Sequence, residues 1–215
     1  KDNFVSLVLI AASAPGTGSY AWTIPDNISS TVKVRITDAA DSTVFDDSNA
    51  AFRIQGKLTL TAPNGGEKWK VGSAQSITWT SVGSVANVKL QYSKDNFATA
   101  TLITASTPNT GSFTWTIPND MSSTVKIRVT DASDVSVFDD SNANFKLMAG
   151  FTVTAPNGGE VWKVGEARTI TWTTSGTVAN VRLDYSRDNF VADIQNITLS
   201  IANTGSQAWT IPDTV

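Results

Sequence analysis

Apolar and polar residues alternate along most of the chain. Leu58 and Leu60 alternate with Thr59 and Thr61, and Ile77 and Trp79 with Ser76, Thr78 and Thr80. Val88, Leu90 and Tyr92 alternate with Lys89, Gln91 and Ser93, and Phe113, Trp115 and Ile117 with Thr114 and Thr116. Val125, Ile127 and Val129 follow with Lys126, Arg128 and Thr130 between them, and Phe145 and Leu147 flank Lys146. Period two puts successive side chains on opposite faces of an extended chain, so each run predicts a strand with one apolar face. Antiparallel sheets packed on one side have this pattern, and two such sheets face to face cover every apolar stripe. No stretch of ten residues carries an apolar stripe at helical spacing. Turns fall between the runs. Pro63-Asn64-Gly65-Gly66 offers a preset φ followed by residues tolerant of positive φ. Lys94-Asp95-Asn96 is expected to close a hairpin onto a strand beginning near Phe97, and Pro118-Asn119-Asp120 ends the Trp115 strand.

The alternation itself repeats. Thr61-Ala62-Pro63-Asn64-Gly65-Gly66-Glu67 returns as Thr154-Ala155-Pro156-Asn157-Gly158-Gly159-Glu160, a shift of 93 residues. Ile77-Thr78-Trp79 maps to Ile170-Thr171-Trp172, and Tyr92-Ser93-Lys94-Asp95-Asn96-Phe97 to Tyr185-Ser186-Arg187-Asp188-Asn189-Phe190. The same shift links Lys1-Asp2-Asn3-Phe4 to Lys94-Asp95-Asn96-Phe97, Trp22-Thr23-Ile24-Pro25 to Trp115-Thr116-Ile117-Pro118, and Val44-Phe45-Asp46-Asp47 to Val137-Phe138-Asp139-Asp140. After Phe190 the last copy gains one residue, so Trp115 corresponds to Trp209. Self-similarity at this period is the mark of a repeat architecture. Residues 1–55 read as the back portion of one unit, 57–148 as a complete unit and 151–215 as the front portion of another. The connectors at Gly56 and Ala149-Gly150 are short, which favours a rod-like string. About seven strands in roughly 90 residues is the spacing of immunoglobulin-like or fibronectin-III-like sandwiches. The expected fold class is therefore all-β, with such sandwiches in tandem.

Composition narrows the function. The chain has no histidine and no cysteine, which removes the usual base near neutral pH, thiolate chemistry and disulfides. Net charge is −3 with Lys and Arg scattered singly, so no basic stripe suits nucleic acid or an anionic membrane. Lys1 followed by the apolar run to Ala12-Ser13-Ala14 imitates a signal peptide. The repeat places those positions inside a unit instead, and no apolar run is long enough to span a bilayer. The order Pro-Asn-Gly-Gly-Glu-x-Trp, Ile-Thr-Trp, Tyr-Ser-x-Asp-Asn, Trp-Thr-Ile-Pro and an Asp-rich stretch before Phe resembles the Ser/Thr-rich Kre9/Knh1-like immunoglobulin-like domains. These occur in fungal cell-wall proteins and in tandem in large secreted or surface proteins of bacteria. The resemblance implies an extracellular or cell-surface setting, and assigns neither a ligand nor a catalytic residue. Ser93-Lys94-Asp95 also resembles the start of an Asp-box hairpin, but Phe97 and Ala100 stand where that motif has Gly and Trp.

Three candidate chemistries remain. Asp131-Ala132-Ser133-Asp134 with Asp139-Asp140-Ser141-Asn142, copied as Asp38-Ala39-Ala40-Asp41 with Asp46-Asp47-Ser48-Asn49, could offer oxygens to calcium. The same residues serve equally as turn caps. Trp69 and Trp162 could be sugar-stacking platforms or covers for the core edge. Glu67 and its copy Glu160 could be glycosidase carboxylates, but they recur beside the same turn in each front half, which a structural role explains better. Asn27-Ile28-Ser29 and Asn196-Ile197-Thr198 are glycosylation sequons that acquire meaning only on a secretory route. No catalytic, cofactor or metal residue is assigned, and the chain is not expected to be an enzyme. The expected role is an extracellular structural segment of a large surface protein: a stalk, sheath or filament spacer whose partners are neighbouring repeats or copies. An adhesion or carbohydrate-binding module recognising surface glycans is the alternative. Residues 1–55 lack the front strands and 151–215 lack the back ones, so neither part closes a sandwich alone. Continuation of the native polypeptide past both ends is expected. Strand addition between copies is the less economical account, because both parts contain the region from Phe4/Phe190 to Trp22/Trp209.

Overall fold

The structure is a computed structural model that describes residues 7–213; the matches made by Lys1-Asp2-Asn3-Phe4 lie outside the described residues. Every regular element among them is a strand. The first copy contributes β1 (Ser29–Val32), β2 (Arg35–Thr37), β3 (Phe45–Asp47) and β4 (Phe52–Ile54). The central copy follows with β5 (Lys57–Ala62), β6 (Lys68–Lys70), β7 (Ala74–Val82), β8 (Asn87–Ser93) and β9 (Thr101–Pro108). It continues with β10 (Ser112–Thr116), β11 (Ser122–Asp131), β12 (Phe138–Asp140) and β13 (Phe145–Met148). The last copy adds β14 (Gly150–Ala155), β15 (Ala167–Ser175), β16 (Asn180–Tyr185), β17 (Gln195–Ala202) and β18 (Ser206–Thr210).

In the central copy one sheet runs β10-β7-β5 and the other β6-β13-β11-β8-β9, with β12 added to β11. Pairing is antiparallel except between β13 and β6. The registers follow from the alternation. Leu60 lies opposite Trp79 and Phe113 opposite Ile77 in one sheet, and Val129 lies opposite Leu90 in the other. A slip of one residue would turn each apolar set outward. Val125, Ile127 and Val129 put β11 at the centre of the buried cluster, with Phe145 and Leu147 of β13 beside it. Aromatic rings pack together in a core that has no disulfide. Trp69 sits 6.2 Å from Trp115 edge-on and 5.0 Å from Phe145, and Tyr92 lies 5.2 Å from Trp115.

The turn after β5 needs its glycine. Gly65 has φ +132, and a Cβ there would stand 2.6 Å from the Ala143 Cβ. The next hairpin differs from expectation, because the strand does not resume near Phe97. Asn96 and Phe97 both take left-handed backbone, at φ 58 and 65, and β9 begins at Thr101. The cause is a side-chain clasp. The Ser93 hydroxyl accepts the amides of Asp95 and Phe97, and the Asp95 carboxylate accepts the amide and hydroxyl of Thr99. This winding puts the Phe97 ring 4.1 Å from the Arg128 guanidinium, which has Phe138 on another side at 4.2 Å.

The other two copies are complementary parts of this plan. In the last copy β14-β15-β18 reproduces the first sheet, and β16-β17 reproduces one edge of the second. In the first copy β1 pairs β4 and β2 pairs β3, reproducing β11, β12 and β13. Residues 7–28 carry no strand, although 19–23 match the residues of β10. In the central copy β10 pairs with β7. The first copy has no counterpart of β7 among the described residues, and an extended segment without a partner leaves its backbone groups to water.

Candidate functional site

The acidic stretch is dispersed. The Asp131 carboxylate accepts the amide and hydroxyl of Ser133, and Asp134 does the same for Ser136. Asp140 takes a bidentate pair from Arg128 at 2.6 and 2.7 Å, and Asp139 accepts the Leu60 amide at 2.7 Å. The Ser136 hydroxyl and amide, with a smaller contribution from Arg53, hold Asp134 below the usual carboxylate range. Among the described residues no three acidic side chains converge as a metal cluster would need. Each carboxylate instead closes a turn or ties β12 to its neighbours.

The other candidates are also committed to the fold. Trp69 is 8% exposed and packs between Trp115 and Phe145, so its ring offers no open face to a sugar. Trp162 is half-buried, with Trp209 edge-on at 6.3 Å. The Glu67 carboxylate accepts the amides of Asn64 and Gly65 at 2.8 and 2.9 Å, and Glu160 repeats this at Asn157 and Gly158. Burial pushes the Glu67 carboxyl up, but amides from Asn64, Glu67 and Gly65 outweigh it and leave it below its ordinary value. An acid held ionised by its own turn is a poor proton donor for glycoside chemistry.

What the structure builds at equivalent places, twice, is a contact between successive copies. At the first joint Asp26 accepts the Ser84 amide at 2.9 Å on one carboxylate oxygen and the Ser84 hydroxyl on the other. At the second, the Asn119 carbonyl oxygen accepts the Thr177 amide at 3.1 Å and its amide nitrogen donates to the Thr177 hydroxyl at 2.6 Å. The two sets are related by the 93-residue shift. In both, the hydroxyl residue follows a glycine of positive φ, Gly83 at +84 and Gly176 at +88. A Cβ on Gly83 would lie 3.3 Å from Gly56 Cα, and one on Gly176 3.3 Å from Ala149 Cα and from the Met121 sulfur. Ile28, the counterpart of Met121, touches the first joint in the same place. Arg53 and Asp134 form a further ion pair across the first joint.

Sequence reasoning missed these residues. The signal present was Pro-Asx before the back strands and Gly-Ser or Gly-Thr in the front half, recurring as Pro25-Asp26 with Gly83-Ser84 and Pro118-Asn119 with Gly176-Thr177. It also missed Asn109, which receives the Trp79 indole N–H at 2.6 Å and donates to the Val85 carbonyl at 2.8 Å. Asn203 makes the same bridge between Trp172 and the Val178 carbonyl. The repeated Asn-Thr-Gly at 109–111 and 203–205 marked both.

Residues 62–146 match the Kre9/KNH-like N-terminal Ig-like domain family, in agreement with the resemblance carried by the turn and tryptophan motifs. Among solved structures, the chain is similar at 17% identity to the fibronectin(III)-like modules of Clostridium thermocellum CbhA. That match covers 71% of this chain and 78% of that one, with a TM-score of 0.28. No curated protein matches in sequence.

Proposed function

We propose that this chain, with a central repeat of the Kre9/KNH-like Ig-like type, is an extracellular structural segment that holds other parts of a surface protein at a set distance and direction. The observation that carries the reading is the pair of equivalent joints. Each copy touches the next through the same short loop, with side-chain-to-backbone hydrogen bonds and a close glycine approach. A linker of a few flexible residues would leave the angle free, whereas a joint made of packed backbone and paired polar groups sets it. Repetition of one step gives a straight or evenly coiled rod. The Kre9/KNH-like family points to a secreted or cell-surface protein. No helix among the described residues is long and apolar enough to cross a membrane.

The carbohydrate-binding alternative loses its main support with the burial of Trp69. Catalysis has no support in Glu67 and Glu160, each of which already serves its own turn. The test is length. The nine residues of β7 set the long dimension of a copy at roughly 30 Å, from about 3.3 Å per strand residue. Small-angle scattering on arrays with added whole repeats should show a maximum dimension that grows linearly by at least that step. Growth that flattens as repeats are added would mean flexible joints and would remove the spacer reading.

A further inference from the structure

The turn after β5 joins two residues whose pairing is chemically fragile. Gly65 is needed there, because a Cβ at φ +132 would stand 2.6 Å from the Ala143 Cβ. Asn64 is engaged as well. Its side-chain oxygen accepts the Asn142 amide at 2.7 Å, and its backbone carbonyl accepts the Ala143 amide at 3.2 Å. Gly66 closes this seam by donating to the Asn144 carbonyl at 2.9 Å. The next residue, Phe145, is 1% exposed and packs on Trp69. The fold therefore imposes Asn-Gly at this point. The pair recurs as Asn157-Gly158, and these are the two Asn-Gly pairs of the chain.

Asparagine followed by glycine can cyclise. The glycine nitrogen attacks the asparagine Cγ, a C–N bond forms, and the side-chain nitrogen leaves as ammonia, taking up the proton of that glycine amide. Water then opens the five-membered imide at either carbonyl and leaves aspartate or its β-linked isomer. Glycine favours the attack because no Cβ crowds the nitrogen. The nitrogen becomes a nucleophile only as it gives up its proton, so whatever stabilises the N–H form slows the reaction.

In both turns that N–H is already held. The Glu67 carboxylate accepts the Asn64 amide on one oxygen at 2.8 Å and the Gly65 amide on the other at 2.9 Å. Glu160 holds Asn157 and Gly158 in the same way, at 2.7 Å each. An anion bonded to an amide opposes a second negative charge on that nitrogen. Burial raises the Glu67 carboxyl, but the amides of Asn64, Glu67 and Gly65 outweigh it, so the group stays ionised and is a poor acceptor for the amide proton.

We propose that Asn64 and Asn157 are deamidation sites, each kept closed by the carboxylate of the glutamate three residues on. In the β-linked product an extra backbone carbon would separate residues 64 and 65 and draw Gly65 and Gly66 out of their seam with residues 142–144. Such protection suits a structural segment that ages in place, but the chemistry rests on the turn alone and not on the spacer reading.

Incubation of the whole chain in mild alkali, followed by peptide mass mapping, tests the proposal. Glu67→Gln keeps the size of the side chain and one acceptor while removing the charge. Loss of a hydrogen bond to an ionised group should speed deamidation at Asn64 by about 10- to 100-fold and leave Asn157 unchanged. Glu160→Gln should do the reverse. Asn109→Ala is the control, because it loosens the central copy through bonds to Trp79, Val85 and Ser81 that do not reach the turn. Its rate at Asn64 should stay within threefold of the unsubstituted chain. A Glu67→Gln chain that deamidates at Asn64 no faster than the unsubstituted one overturns the proposal. Equal acceleration in Asn109→Ala also overturns it, since protection would then belong to the fold as a whole. So does an unsubstituted chain that deamidates at Asn64 as fast as a synthetic peptide of residues 60–70.

Discussion

Replacing Asn109 with alanine removes one side chain that satisfies two buried groups. The Trp79 indole N–H donates to its carbonyl oxygen at 2.6 Å, and its amide donates to the Val85 carbonyl at 2.8 Å. Trp79 is 3% exposed, so its N–H has little water to turn to. Each buried group left without a partner costs about 1–3 kcal/mol. The third bond, to the exposed Ser81 hydroxyl, adds little. Since Asn109 is itself half-buried and water can enter part of the space, the expected loss is about 2–4 kcal/mol. Hydrogen exchange read by mass spectrometry localises the effect. Amides of β7 and β10 should exchange roughly 30- to 700-fold faster, at 1.4 kcal/mol per factor of ten. Peptides covering β15 and β18 serve as the internal reference, because Asn203 still bridges Trp172 and Val178 there. Exchange in β7 within threefold of the unsubstituted chain, or equal acceleration in β15, refutes the assignment of Asn109 as the polar anchor of the core.

Trp69→Ala should cost the central copy about 3–5 kcal/mol, measured by the same exchange experiment, with no change in glycan-array signal. The Asp95 carboxyl is lowered to about 2 by the Thr99 hydroxyl and amide and by Ser93. Its folded value lies below the ordinary 3.8, so the stability it gives the β8–β9 turn is present above pH 4 and is lost as pH falls through about 2. NMR titration of the carboxyl carbon and of the Thr99 amide checks this, and a midpoint near 3.8 removes the clasp. Gly176→Ala places a Cβ at φ +88 against Ala149 and Met121 at a cost of about 1–2 kcal/mol. Spin labels on the central and last copies should show a broadened distance distribution, while exchange within β7 stays unchanged. Calcium at millimolar concentration should leave the melting temperature where it is, because each carboxylate of the acidic stretch already has a partner.

The strands were legible because period two is a strong signal and each apolar stripe had one way to face. Leu58, Ile77, Val88, Val125 and Phe145 all lie in the cluster that their alternation predicted. The turn around Phe97 was not legible, since hydroxyl and carboxylate clasps override an apolar residue that suggests a strand. The first copy shows the larger limit. Its residues 19–23 carry the β10 pattern but form no strand, because pattern gives the preference and pairing supplies the bonds. The joints were hidden for a related reason. Asp26 and Ser84 are 58 positions apart, and only comparison with Asn119 and Thr177 shows that they act together.

The central claim is that each joint sets the orientation of one copy to the next, and residual dipolar couplings of the whole chain test it most directly. In one alignment medium, amides of the central copy and of β14–β18 should fit a single alignment tensor. Asn119→Ala combined with Thr177→Ala should split them into two tensors of different magnitude. Two unequal tensors in the unsubstituted chain would contradict the account.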